Sequence, residues 1–103
     1  MNGRDEILPG CSIEDFLRRT GGKPLEEDTQ RIYRSALLEL QNFVQRNGPL
    51  TSQMLIRWQQ ELRTRGYQDR SINLHITAAN GYFRWCGRPE LVMHHCRTAS
   101  GAH

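Results

Sequence analysis

The apolar residues of this chain recur at spacings of three and four, in stretches cut apart by glycine and proline. That pattern is the period of an amphipathic α-helix, and it leaves little room for any other secondary structure. It is most informative over residues 70–86. There Ile72, Ile76, Ala79, Phe83 and Cys86 follow one another at steps of four, three, four and three, which makes one apolar stripe. Arg70, Asn73, Thr77 and Arg84 fall on the other side, with Leu74 and Gly81 among them. A helix of this kind packs by one face and leaves the other either solvated or free to bind.

Three further helices precede it. Ser12 stands in an N-cap position, with Glu14 and Asp15 in the first turn, where the helix dipole favours negative charge. Ile13, Phe16 and Leu17 give this short helix its apolar face, and Gly21-Gly22-Lys23-Pro24 breaks it. The second helix begins near Glu26-Glu27-Asp28. It carries Ile32 or Tyr33, then Ala36, Leu37, Leu40, Phe43 and Val44 on its inner face, and it stops at Gly48-Pro49. The third is capped by Thr51, packs Met54, Leu55, Trp58 and Leu62, and closes at Gly66. Trp58 is expected in the core, with a stacking platform for a nucleobase as the alternative. Tyr67-Gln68-Asp69 links it to the helix at 70–86, which Gly87-Arg88-Pro89 stops. No alternating run of β-branched residues marks a strand. The expected architecture is therefore a compact all-α domain of four helices over residues 12–87. Residues 1–11 are expected to be a flexible leader and 88–103 a tail or linker. In that tail, Leu91–His95 could form one more packed turn or dock on something else.

At 103 residues the chain has room for one domain. Its mean hydropathy is −0.70, yet the periodic apolar residues argue against disorder. No apolar run is long enough to span a membrane, and Met1–Glu6 lack the apolar centre of a signal peptide, so a cytoplasmic protein is expected. Cys11, Cys86 and Cys96 are an odd number at wide spacing, which is not a disulfide framework. His94-His95-Cys96, with His103 beyond, has no metal-ligand spacing. No metal site and no cofactor are expected.

Charge is unevenly placed. The net charge is +3, and the whole excess lies in residues 51–88, where Arg57, Arg63, Arg65, Arg70, Arg84 and Arg88 face only Glu61 and Asp69. Thirteen of the fourteen basic residues are arginine, Lys23 being the exception. The guanidinium fork suits phosphate oxygens and guanine edges; a GC-rich genome would enrich arginine as well.

Three segments in order carry a resemblance to a family. Thr29-Gln30-Arg31-Ile32-Tyr33-Arg34-Ser35-Ala36-Leu37, followed by Leu40 and Phe43, resembles the Thr-x-x-x-Tyr-x-x-x-Leu helix of the tyrosine recombinases, or phage integrases. Leu50-Thr51, with Glu61-Leu62-Arg63-Thr64-Arg65-Gly66 after it, is similar to the family's Leu-Thr … Leu-x-x-x-Gly segment. Arg70-Ser71-Ile72-Asn73, with Phe83-Arg84-Trp85 downstream, is similar to its Arg-Thr-Ile-Asn … Phe-Phe-x-Trp helix. The part resembled is the N-terminal core-binding domain, a four-helix SAM-like orthogonal bundle that forms half of a clamp on duplex DNA.

The resemblance implies double-stranded DNA as partner, and a C-terminal catalytic domain of the parent integrase as a second. It implies a monomer that assembles on DNA. It places Thr29, Arg31, Arg34, Arg70, Ser71, Asn73, Leu74, His75 and Thr77 at or near DNA. Arg31, Arg34 and Arg70 are candidates for phosphate first and guanine second. Asn73 can pair with adenine or donate to phosphate. Ser71 can contact phosphate or cap its helix. Arg57, Arg63, Arg65 and Arg84 are left as solvating charges. The chain departs from the family at Leu74 and His75, where basic residues are common. Neutralising about four phosphates gives an expected log–log salt slope near −4. The family's tyrosine nucleophile and its Arg and His partners belong to the C-terminal domain, so no catalytic residue is expected here. Tyr33, Tyr67 and Tyr82 are expected in packing or in a linker, and His94-x-x-Arg97 imitates a family motif in letters only. The alternative is a helical protein–protein interaction module of SAM-like fold.

Overall fold

The helix ends lie where local chemistry puts them. In a computed structural model, residues 6–19 and 26–95 are described. Helix α1 runs Ile13–Arg19, and the Ser12 hydroxyl accepts the Asp15 N–H at 3.2 Å, as an N-cap does. Helix α2, Glu27–Asn47, starts after an extended Glu26 that makes no side-chain cap. It stops at Gly48, whose φ of 101° is one that side chains beyond glycine resist. Helix α3, Ser52–Thr64, is capped by Thr51, whose hydroxyl accepts the Met54 N–H at 3.1 Å. Helix α4, Asp69–Trp85, follows, and after it a 3-10 turn at Pro89–Leu91. The break at 21–24, Lys23 and Cys96 lie outside the described residues.

The result is an all-α bundle of four helices. Helix α4 is its centre: it packs most extensively on α2 and also touches α1, α3 and the 3-10 turn. The anticipated stripes are buried on every helix: Ile13, Phe16 and Leu17; Ala36, Leu37, Leu40 and Phe43; Met54, Leu55, Trp58 and Leu62; Ile72, Ile76, Ala79 and Phe83. Trp58 is 1% exposed, so it is core and cannot stack on a base. Between Ile32 and Tyr33 the structure chooses Tyr33, which packs on the core while Ile32 is 44% exposed.

Buried polar side chains of the bundle bind the two segments that flank it. Tyr82 is fully buried, and its hydroxyl accepts the N–H groups of Ile7 and Leu8 at 3.1 and 3.0 Å while donating to the Cys11 carbonyl at 2.6 Å. Gln41 adds a bond from Nε2 to the Glu6 carbonyl at 2.9 Å, and Leu8 is buried. The described part of the leader, from Glu6 on, is therefore anchored, where a flexible segment was expected. The expectation missed this because the polar partner lies more than 70 residues away in sequence. At the other end Asn80, 3% exposed, accepts the Met93 N–H at 2.7 Å and donates to the Met93 carbonyl at 2.8 Å. Leu91 and Met93 are thereby buried, so the packed turn is the alternative realised at Leu91–Met93.

Helices α1 and α4 cross closely. A Cβ on Gly81 would stand 3.1 Å from Phe16 Cζ. The Phe16 ring lies 5.8 Å from those of both Tyr82 and Trp85. Gly81 costs the helix about 1 kcal/mol relative to Ala, and the seat it leaves for Phe16 offsets that cost.

Candidate nucleic-acid interface

The outward face of α4 follows from its register. Positions 70, 73, 74, 77 and 84 lie opposite the buried stripe, whereas Gly81, in the same register, is where α1 crosses and Phe16 packs. Arg70, Leu74, Thr77 and Arg84 are exposed, and Asn73 and Gly81 are half-buried. Arg70 and Arg84 stand at the two ends of this stripe, about 21 Å apart along the axis at 1.5 Å per residue.

Ion pairing separates the arginines. Arg18 lies 4.0 Å from Asp15, Arg31 3.5 Å from Asp28, Arg46 3.5 Å from Glu61, and Arg63 2.8 Å from Asp69. Arg65 is shared between Glu61 at 2.7 Å and Glu39 at 3.6 Å, and Arg88 pairs with Glu90. Arg57, Arg70 and Arg84 have no carboxylate within ion-pair reach among the described residues. Two of these three uncompensated guanidiniums are therefore the ends of the α4 stripe. The sequence places Arg84 on the same side of the helix as Arg70 and leaves it as a solvating charge; what sets it apart is the absence of a carboxylate partner among the described residues, which no single sequence shows.

The other anticipated contacts divide. Arg31 is open to solvent, its side chain 74% exposed. Arg34 forms a two-point pair with Glu14, Nη2 to Oε1 at 2.8 Å and Nε to Oε2 at 2.5 Å. The Arg34 hydrogen bonds hold the Glu14 carboxyl below its ordinary 4.5, against the opposing effect of burial. Arg34 thus ties α2 to α1. Thr29 is half-buried, and with Tyr33 and Leu37 it forms an i, i+4, i+8 line on the inner side of α2, so this triplet is in the first place a packing motif. Ser71 is the third residue of α4, and the N-cap position belongs to Gln68. Its capping role is excluded, and its side chain is exposed. The Thr77 hydroxyl and His95 Nε2 are hydrogen-bonded at 2.7 Å.

His75 does not share the outward face. Its side chain is 12% exposed. Nδ1 bonds to the Ser71 carbonyl at 2.8 Å, and the ring sits 5.2 Å from Tyr67 and 5.9 Å from Trp58. Nε2 is buried without a hydrogen-bond partner; Glu39 Oε1 at 3.5 Å is too long for a good hydrogen bond. Tyr67 donates to Glu39 at 3.0 Å, and burial followed by that carboxylate raises its hydroxyl pKa. His75 therefore joins α4 to α2 and to the α3–α4 link, and is no surface contact.

A shallow apolar groove of about 330 Å3 runs beside α3. Leu55, Ile56, Leu91, Val92 and Met93 line it, together with the polar Ser52, Gln59 and His94.

The described residues form a four-helix bundle whose central helix carries an arginine at each end of its exposed face. The chain matches the phage integrase N-terminal SAM-like domain over residues 13–89, and it belongs to that family. Neither the curated proteins nor the solved structures contain a match.

Proposed function

We propose that this chain is the core-binding domain of a site-specific tyrosine recombinase and grips duplex DNA with the outward face of α4. The observation that carries the reading is the pair of uncompensated guanidiniums, Arg70 and Arg84, at the two ends of one exposed helical stripe. Phosphate contacts from the ends would fix register, leaving Asn73, Leu74 and Thr77 between them for base edges. Ser71 offers a hydroxyl beside Arg70, and Arg31 adds a third cation from α2. Arg34 and His75 serve the bundle, and Thr29 its inner seam. The domain is non-catalytic by itself. It acts as a monomer until DNA brings it and a C-terminal catalytic domain together, in support of integration and recombination.

The alternative, a helical protein–protein module, has one specific observation in its favour. Ile56 is 54% exposed beside the apolar groove, away from the α4 stripe. Amide-shift titration with duplex DNA at low and high salt separates the two. Salt-reversible shifts at 70–77 and 84 are expected, with residues 55–59 and 91–94 still. No shift at low salt with several unrelated duplexes would overturn DNA binding.

A further inference from the structure

The segment after the 3-10 turn returns to the outward face of α4. Asn80 holds both backbone groups of Met93, and two residues on His95 reaches Thr77, with Nε2 2.7 Å from the threonine Oγ1. Thr77 stands seven residues from Arg70 and seven from Arg84, about 10.5 Å along the axis from each. His95 is exposed, so the bond sets its imidazole beside the midpoint of the arginine stripe and open to solvent. A hydroxyl has one donor and two acceptor sites, so Thr77 can seat the ring and still meet a base edge. The bond also sorts the ring nitrogens. Nε2 faces Thr77, and Nδ1 is left for another partner. In the imidazolium both nitrogens donate, so Nδ1 then presents a charged N–H.

We propose that His95 is a DNA-phosphate contact of the α4 face, seated by Thr77 and engaged when its ring is protonated. The proposal rests on the reading of that face as the DNA grip, and adds to it a residue from outside the four helices. The charges around the ring are few. The outward face of α4 presents Arg70 and Arg84, and the segment itself presents His94 and the Arg88–Glu90 pair. Across the groove from His94, α3 presents only the uncharged Ser52, Leu55, Ile56 and Gln59. Among the described residues no carboxylate lies within ion-pair reach of His95. A phosphate is therefore the anion that a charged ring on this face would meet, between two guanidiniums that already draw it in. Histidine changes charge between about pH 5 and pH 8. Falling pH thus adds one cation to the grip, and binding takes up a proton.

The test is a salt series of duplex affinity, read by fluorescence anisotropy on the full chain with a random-sequence duplex, at about pH 5.5 and about pH 8. The parent should bind more tightly at the lower pH, with a log–log salt slope steeper by about 1. His95→Gln should remove that difference. Thr77→Val, which keeps the branched shape and deletes the hydroxyl seat, should shrink it. His94→Gln, whose ring borders the α3 groove, should keep it. A difference that survives His95→Gln, a difference untouched by Thr77→Val, or equal slopes at both pH values in a parent that binds would overturn the His95 contact and leave the α4 reading standing. A parent that binds no duplex at either pH would overturn both.

Discussion

The Tyr82 hydroxyl uses its full hydrogen-bonding capacity on backbone: two N–H groups received and one carbonyl reached. Burial raises its pKa well above the ordinary 10.0, with the two backbone donors acting in the opposite direction. It stays a neutral phenol, which is the form that can donate to Cys11. Removing one oxygen atom would leave the buried Leu8 N–H without its partner, and such a loss costs about 1–3 kcal/mol. Tyr82→Phe should lower unfolding free energy by that amount, with early loss of exchange protection at the Ile7 and Leu8 amides. A variant as stable as the parent would show that the phenol is not what anchors the segment. Single residues were also where sequence reading was weakest. His75 sits beside Leu74, and the family resemblance places both at or near DNA. One residue of helix is about 100° of rotation, enough to carry the imidazole into the seam with Tyr67 and Glu39. Arg34 was assigned to phosphate by its charge and position in the motif, and only the fold shows Glu14 opposite it.

The helices themselves were legible. Ser12 and Thr51 cap as their side chains predict, Gly48 and Gly66 adopt positive φ, and the apolar stripes became the core. These signals are local, which is why one sequence suffices to find them. The crossing of α1 over α4 is not local, and Gly81 taken alone only lowers helix propensity. Its seat against Phe16 makes a sign-reversing prediction. Gly81→Ala should destabilise by about 1 kcal/mol, because the added methyl presses a ring held by Tyr82 and Trp85. In a Phe16→Leu background the same change should stabilise by up to about 1 kcal/mol, as helix propensity alone dictates. Denaturant unfolding of the four proteins gives the coupling energy. Additive effects would mean that close approach is not the reason for glycine.

Across the whole molecule, charge is sorted by pairing more than by count. Sequence showed the excess in residues 51–88 but could not show that Arg63, Arg65 and Arg88 spend theirs on Asp69, Glu61 and Glu90. What is left uncompensated on α4 is Arg70 and Arg84, far apart in sequence and in line on the helix. With Arg31 they would neutralise about three phosphates, so the salt slope expected from the structure is near −3, shallower than charge counting alone suggested. Neither Arg70 nor Arg84 has an ion-pair partner among the described residues, so removing both should leave Tm nearly unchanged. The most direct measurement is duplex affinity by fluorescence anisotropy across a salt series, for the parent and for Arg70→Ala/Arg84→Ala. DNA binding through α4 predicts weaker binding and a slope shallower by about 2 in the double variant. An unchanged affinity and slope would contradict it.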